Sequence, residues 1–275
     1  MTVGGGRTVL TTGANSGVGL ATVMHLARLG FHSVGSVRSQ AKATHVVELA
    51  ASAGVTVETV VLDVTDVERC HAVVEGLHPW GLVNNAGYSG VGAIEDVTDE
   101  EARRQLETMV VAPMRLARAA LVHMRAAGQG RIVNVSSIYG LTTTPFSGWY
   151  QASKHALEAA SDALRVEVAR DGVKVILVEP GGVKTHIWEE MEADLARRTG
   201  SSYERQYRRI PTLLQPYRAL MAGPESVAKV IGRAITAGSP RARYLVGPDA
   251  PGLVAAQALI PTAVRDRIAR FLTGL

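Results

Sequence analysis

Tyr150 and Lys154, in the run WYQASKHALEA, are the residues of this 275-residue sequence whose types and spacing speak most directly of chemistry. Four residues apart on a helix, they share one face about one turn from each other, where a phenol and an ammonium can act on the same group. Such a pair suits proton transfer, the phenol carrying the proton and the ammonium supplying a fixed charge. The spacing alone says little, because both residues are common. The elements that position the pair have to decide.

Short β-branched runs alternate with helical patterns through the first 180 residues. Residues 8–12, 33–37, 55–64, 81–85, 131–137 and 173–180 read as strands. Helical periodicity runs through GLATVMHLARLG, TDVERCHAVVEGL, residues 100–128 and residues 150–172. The alternation predicts an α/β fold: a doubly wound parallel sheet of the Rossmann type. Near-continuous apolar strands such as VILV fit a sheet covered on both faces. After Pro180 the rhythm breaks. Residues 183–222 are more polar, with helical pieces between Gly and Pro, and read as a helical substrate-loop insertion. Pro224 and Gly238 bracket another helix, RYLV is strand-like, and residues 251–275 form a helical tail. No repeat or linker divides the chain, so residues 1–275 are expected to form a single domain.

Composition narrows the classes. With 47% hydrophobic and 20% charged residues there is ample material for a core. The formal charge of +4 comes from scattered arginines, aromatics are only 5%, and no RNA-binding or zinc motif appears, so neither nucleic acid nor a metal is expected. One cysteine, Cys70, cannot form an internal disulfide and fits a reducing compartment. No signal peptide and no run approaching a membrane span is read, so the expectation is a cytoplasmic protein without stable membrane insertion.

The sequence TGANSGVG follows the first strand and opens the first helix. Gly13, Gly17 and Gly19, with Asn15, Ser16 and Val18 between them, form a turn that lets a pyrophosphate approach the backbone and the free N–H groups of a helix start. From Met1 to Val47 there is no Asp or Glu, whereas Arg38 follows the second strand and Lys42 lies four further on. A carboxylate there would bond a ribose 2′-hydroxyl; a guanidinium pairs with a 2′-phosphate, so the cofactor inferred is NADP(H). At the end of the third strand, Asp63 and Val64 are candidates for the adenine. The same residues could equally belong to a helix-capping arrangement, with Thr65 as N-cap.

Four signals occur in order: TGANSGVG, NNAG (Asn84 to Gly87), NVSS with YQASK, and PGGVKT from Pro180. Together they resemble the classical short-chain dehydrogenase/reductase family over residues 7 to about 190, most like its retinol and 17β-hydroxysteroid dehydrogenase branch. The resemblance implies that Ser137 bonds the substrate oxygen, that Tyr150 is the general acid/base, and that Lys154 holds the nicotinamide ribose and lowers the tyrosine pKa. It implies that Asn85, Ala86 and Gly87 line the adenine ribose, and that Pro180, Gly181, Val183 and Thr185 lie along the cofactor, Thr185 near the carboxamide. A tyrosine with a pKa near ~10 needs such a neighbouring cation to exchange protons at neutral pH.

One position departs from the family: Met109 stands where it has an asparagine associated with a relay water, and a thioether is a poor substitute. The expected reaction is hydride transfer between NADP(H) and a hydrophobic ketone or secondary alcohol, steroid-, retinoid- or polyketide-like. Two alternatives stand beside it: a ketoreductase on carrier-bound acyl groups, and a weakly catalytic NADP(H)-binding regulator. Ile187, Trp188, Leu213, Leu214 and Met221 either line a lid over the substrate or simply pack. His186 and Tyr139 are further pocket candidates. The tail VRDRIARFL could lie on a membrane surface, but is expected rather to pack on the body or on another subunit. The resemblance implies a homodimer or homotetramer through the long helices beginning near Glu100 and Tyr150, although apolar residues on them could serve the core alone.

Overall fold

A computed structural model describes residues 4–275. Its seven strands are β1 Thr8–Thr11, β2 His32–Val37, β3 Glu58–Val61, β4 Gly81–Asn84, β5 Gly130–Val135, β6 Val173–Pro180 and β7 Arg243–Val246. They pair in parallel throughout, in the order β3-β2-β1-β4-β5-β6-β7. Chain order reverses between β1 and β4, and the crevice at the carboxyl ends of those strands is where such sheets bind ligands.

Alternating side chains feed two cores. Leu10, Leu82, Ile132 and Val175 enter the layer under α3 (Val67–Leu77) and α5 (Ala112–Ala126). Val9, Val83, Val133 and Ile176 face α1 (Gly17–Arg28) and α9 (Pro224–Thr236). The sheet is therefore buried on both sides, as the apolar strand runs require.

Local differences from the sequence reading have physical causes. The run 55–64 keeps strand structure only over β3, because Asp63 turns the chain: its Oδ1 accepts from the Thr65 N–H at 2.9 Å and hydroxyl at 2.7 Å. Thr65 is thus engaged, and Asp66 caps α3 instead, accepting from the Arg69 N–H at 2.9 Å. Helix α2 (Gln40–Ser52) buries only Ala43, Val46 and Ala50, an apolar face too narrow to stand out as periodicity. The run 100–128 divides into α4 (Asp99–Leu106), a π turn over Glu107–Val111, and α5. Pro113 has no N–H for the Met109 carbonyl four residues back and its ring crowds that carbonyl, so the helix widens there.

Beyond Pro180, α7 (Ile187–Arg197) and α8 (Glu204–Leu220) enclose a separate apolar cluster of Val91, Ala93, Phe146, Met191, Leu195 and Tyr207. Arg198 fastens this cover to the body, its Nε donating to the Val91 carbonyl at 2.7 Å. Helices α6 (Gly148–Glu167), α10 (Ala250–Leu259) and α11 (Thr262–Thr273) complete the chain. Among the described residues no helix is long and apolar enough to cross a membrane.

Candidate active site

β5 and α6 bring the three candidate catalytic residues together. Ser137, two residues beyond β5, accepts from the Tyr139 N–H at 3.2 Å and donates to the Pro180 carbonyl at 3.3 Å, which fixes its hydroxyl between β5 and β6. Tyr150 sits in the first turn of α6 and Lys154 in the next. The Lys154 ammonium lies 5.8 Å from the centre of the Tyr150 ring and donates to the Val135 carbonyl at 3.0 Å. Tyr139 meets Tyr150 edge to face, with ring centres 6.2 Å apart. Tyr139 is therefore part of this constellation. His186 is not: it is exposed and pairs with Glu189 at 2.9 Å.

The electrostatics qualify the expected role of Lys154. Loss of water around the half-buried Tyr150 pushes its phenol up to about 12, while the neighbouring Ser137 hydroxyl pulls the other way. Burial pushes Lys154 down to about 8, against the pull of the Glu158 carboxylate. Burial thus dominates both groups, and Lys154 is itself desolvated and bonded to a backbone carbonyl. A phenol in this state holds its proton at neutral pH and is equipped to donate it.

Behind Lys154 stands a cluster the sequence reading missed. Arg243 of β7 donates to Glu179 at 2.5 Å, and also to Glu158 and Asp162. Glu158 and Glu179 are both buried. Burial and then the Glu158 charge hold the Glu179 carboxyl above the usual carboxylate range, with Arg243 opposing them. Glu158, one turn beyond Lys154, was the available signal; its partner Arg243, 85 residues away, carries none in a single sequence.

The glycine turn is fixed by β4. Thr12 Oγ1 accepts from the N–H groups of Asn85 and Ala86, each at 3.0 Å, and the Asn85 amide donates to the Thr12 carbonyl at 2.9 Å and the Gly13 carbonyl at 3.2 Å. A Cβ on Gly19 would sit 2.2 Å from the Gly13 oxygen, and Gly13 itself is left-handed at φ 68°, so neither position admits another residue without displacement. Asn84, by contrast, points into the protein and donates to Asn134 Oδ1 at 2.8 Å and the Pro113 carbonyl at 3.3 Å. Met109 is buried, with its sulfur 3.5 Å from where a Gly87 Cβ would be. It therefore fills space behind the NNAG turn, while Pro113 leaves its carbonyl without the α-helical donor.

The remaining candidates surround the same crevice. Ser16 opens α1 without a side-chain cap, leaving the first N–H groups open, and Asn15 donates to the Ser16 hydroxyl at 3.3 Å. Val18 is half-buried against the core beneath the turn. Arg38 is exposed just after β2, and its charge contributes to holding Asp63 below the usual carboxylate range, behind the larger effect of the Thr65 N–H. The Val64 carbonyl is taken by Arg115 at 3.0 Å and Cys70 at 3.3 Å. Cys70 is buried and its thiol pushed up by burial, so it is inert. Across the crevice, the Thr185 methyl lies 3.0 Å from where a Gly17 Cβ would be. Asp249 holds the loop after β6, accepting from the Gly182 N–H at 3.0 Å and from the Tyr217 hydroxyl. Gly181 packs directly on that carboxylate, and Val183 accepts from the Trp188 indole at 2.7 Å. Of the lid residues, Trp188 and Leu214 pack on the apolar cluster and Met221 is buried, but Leu213 faces solvent.

An uncapped helix start and a turn with no room for a Cβ form a cradle that fits the pyrophosphate of a dinucleotide. The comparisons agree with an NAD(P)H-binding chain. The profile of the short chain dehydrogenase family matches residues 7–196. The NADPH-dependent 3-dehydrocapnine reductase of Ornithobacterium rhinotracheale is 34% identical over 95% of both chains. The 3-ketodihydrosphingosine reductase of Bacteroides thetaiotaomicron is 30% identical over 87% of both. Among solved structures, an actinorhodin polyketide ketoreductase with NADPH superposes with a TM-score of 0.78 at 27% identity, over 91% of this chain and 99% of that one.

Proposed function

Because the chain belongs to the short-chain dehydrogenase family and is an NAD(P)-dependent oxidoreductase of carbonyl and alcohol substrates, we propose that it uses NADPH to reduce a ketone carried on a largely apolar molecule. What supports the direction is the Tyr150 phenol beside Ser137, pushed up by burial and so a proton donor suited to an oxygen that gains charge. Arg38, in a stretch without carboxylates, supports the 2′-phosphate. The apolar and aromatic cover of Trp188, Met191, Leu195, Tyr203, Tyr207 and Leu214 supports the substrate class. The 3-ketodihydrosphingosine reductase named among its relatives points the same way.

The residues divide the work. When bound, the dinucleotide supplies the hydride. Ser137 and Tyr150 orient the carbonyl oxygen, and Tyr150 gives its phenolic proton as charge develops there. Lys154, still cationic below about pH 8, steadies the phenolate left behind. Glu158, Glu179 and Arg243 hold the far side of α6 against β6 and β7 and fix the height of Lys154. Loop residues 180–185 close over the glycine turn and limit water. Exposed Val111, Val122 and Val166 on the π turn, α5 and α6 support a homodimer or homotetramer formed through these helices.

The test is NADPH consumption with three panels: long-chain ketones, sugar ketones and carrier-type β-keto thioesters. The proposal expects kcat/KM highest for long-chain ketones. A higher value for thioesters favours the carrier-bound ketoreductase, and a preference for sugars would overturn the apolar reading.

A further inference from the structure

The C-terminal helix is mounted the wrong way round for a helix that merely caps its own domain. Arg265, Ala269 and Thr273 of α11 are partly covered by the body, while the adjoining Val264, Ile268, Phe271 and Leu272 form an apolar stripe that stays exposed. Phe271 is 84% exposed, and no residue of α11 is buried. Only the side of α11 that carries Arg265, Ala269 and Thr273, adjoining the stripe, meets the body, anchored where Gln206 of α8 donates to the Gly274 carbonyl at 3.0 Å. The preceding α10, which has no charged residue, exposes Leu253 and ends on Leu259, 80% exposed.

The charge around this stripe is predominantly positive. Helices α8 and α11 carry Arg205, Arg208, Arg209, Arg218, Arg265, Arg267 and Arg270 against Glu204 and Asp266, seven cations to two anions. Arg208 pairs with Glu204 and Arg218 with Glu192 of α7, which leaves an excess of arginine beside the apolar row. Arg267, exposed, flanks the row on the side away from the body by helical spacing.

We propose that this face docks the protein on an anionic phospholipid surface, with the row from Val264 to Leu272 entering the headgroup boundary and the arginines bonding lipid phosphates. A row of large apolar side chains fringed by arginine is what such a surface accommodates, at shallow depth and without spanning it. A second copy of this chain is disfavoured as the occupant, because a two-fold contact would set these arginines against their own counterparts. An apolar substrate held in a bilayer would then be delivered where the enzyme sits. Docking itself does not depend on the proposed reaction, since it is read without turnover.

The test is co-sedimentation of the full chain with vesicles of phosphatidylcholine, with and without phosphatidylglycerol, followed through a salt titration. Binding at least about 10-fold stronger to the anionic vesicles, weakening as salt rises, is expected. Phe271→Asp with Ile268→Asp should lower that binding by about 10-fold or more, since both remove apolar insertion. Arg267→Glu should weaken the preference for phosphatidylglycerol. All three side chains lie outside the core, and an unchanged melting temperature verifies that the variants fold. No sedimentation, equal binding to both vesicle types, or binding unchanged by Phe271→Asp would overturn the proposal. So would a dimer that dissociates on Phe271→Asp in protein that ignores vesicles, which would assign this face to a second copy.

Discussion

Up to Pro180 and beyond it, the chain is held by different forces. Before Pro180 the site residues are pinned through the backbone: Thr12 to Asn85 and Ala86, Asn84 to Pro113, Lys154 to Val135, Ser137 to Pro180. After it, α7 and α8 cover the site through aromatic contacts, as where Phe146 meets Tyr203 and Tyr207, and through arginine side chains such as Arg198. Backbone pinning admits few residue types, so chemistry and cofactor are written there as motifs. Side-chain packing admits many, so substrate class can change in the second region without disturbing the reaction in the first.

The comparison is broken most severely by Tyr150→Phe, which removes the donated proton while leaving the cradle intact. It should lower kcat by about 1,000-fold with NADPH affinity almost unchanged, by steady-state kinetics and fluorescence titration. Normal turnover in this variant would contradict the assigned mechanism. Arg38→Asp should next shift the NADPH-to-NADH ratio of kcat/KM by roughly 10- to 100-fold, the worth of one or two charge-assisted bonds. An unchanged ratio would mean that the 2′-phosphate is held elsewhere.

Legibility follows the same division. Gly13, Gly17, Gly19, Asn85, Ser137, Tyr150 and Lys154 were readable because each lies within a short run whose spacing is itself the requirement, and the parallel sheet because its strands are apolar throughout. Arg243, Asp249 and Arg198 were not readable, since each acts on residues 32 to 107 positions away through a side chain that any solvated arginine or aspartate resembles. The π turn was half-readable: Pro113 announces a misfit, but whether the helix kinks, ends or widens is set by the packing around it, where Asn84 donates to the Pro113 carbonyl. The outward stripe of α11 shows in the sequence as amphipathicity without a direction, and only packing against α8 says which face is left over.

Arg243→Met joins the two regions in one experiment. It strands two buried carboxylates between α6 and β6 and should cost about 3 kcal/mol in urea unfolding, the low end of the usual penalty because Arg243 itself is partly exposed. A neutral result would show that Glu158 and Glu179 share a proton well enough to need no cation. The same small change made on each side sharpens the contrast further. Gly19→Ala, with its Cβ driven against the Gly13 carbonyl, should destabilise by about 1–3 kcal/mol and weaken NADPH binding, whereas Gly252→Ala in α10 meets nothing and should be neutral or slightly stabilising. The smallest effect belongs to Met109→Asn, expected to change kcat by less than about 3-fold because Pro113 frees the carbonyl of residue 109 whichever side chain stands there. A large gain would instead make the thioether the fault in a proton relay.

The central claim is that a protonated Tyr150, steadied by a cationic Lys154, serves NADPH-dependent ketone reduction. It is tested most directly by rapid mixing of the NADPH-loaded protein with a long-chain ketone while the loss of nicotinamide absorbance is followed across a pH series. The account predicts a full single turnover at neutral pH whose rate falls as pH rises through about 8, where Lys154 gives up its charge. Tight NADPH binding with no loss of absorbance at any pH would contradict it and leave a cofactor-binding protein without this chemistry.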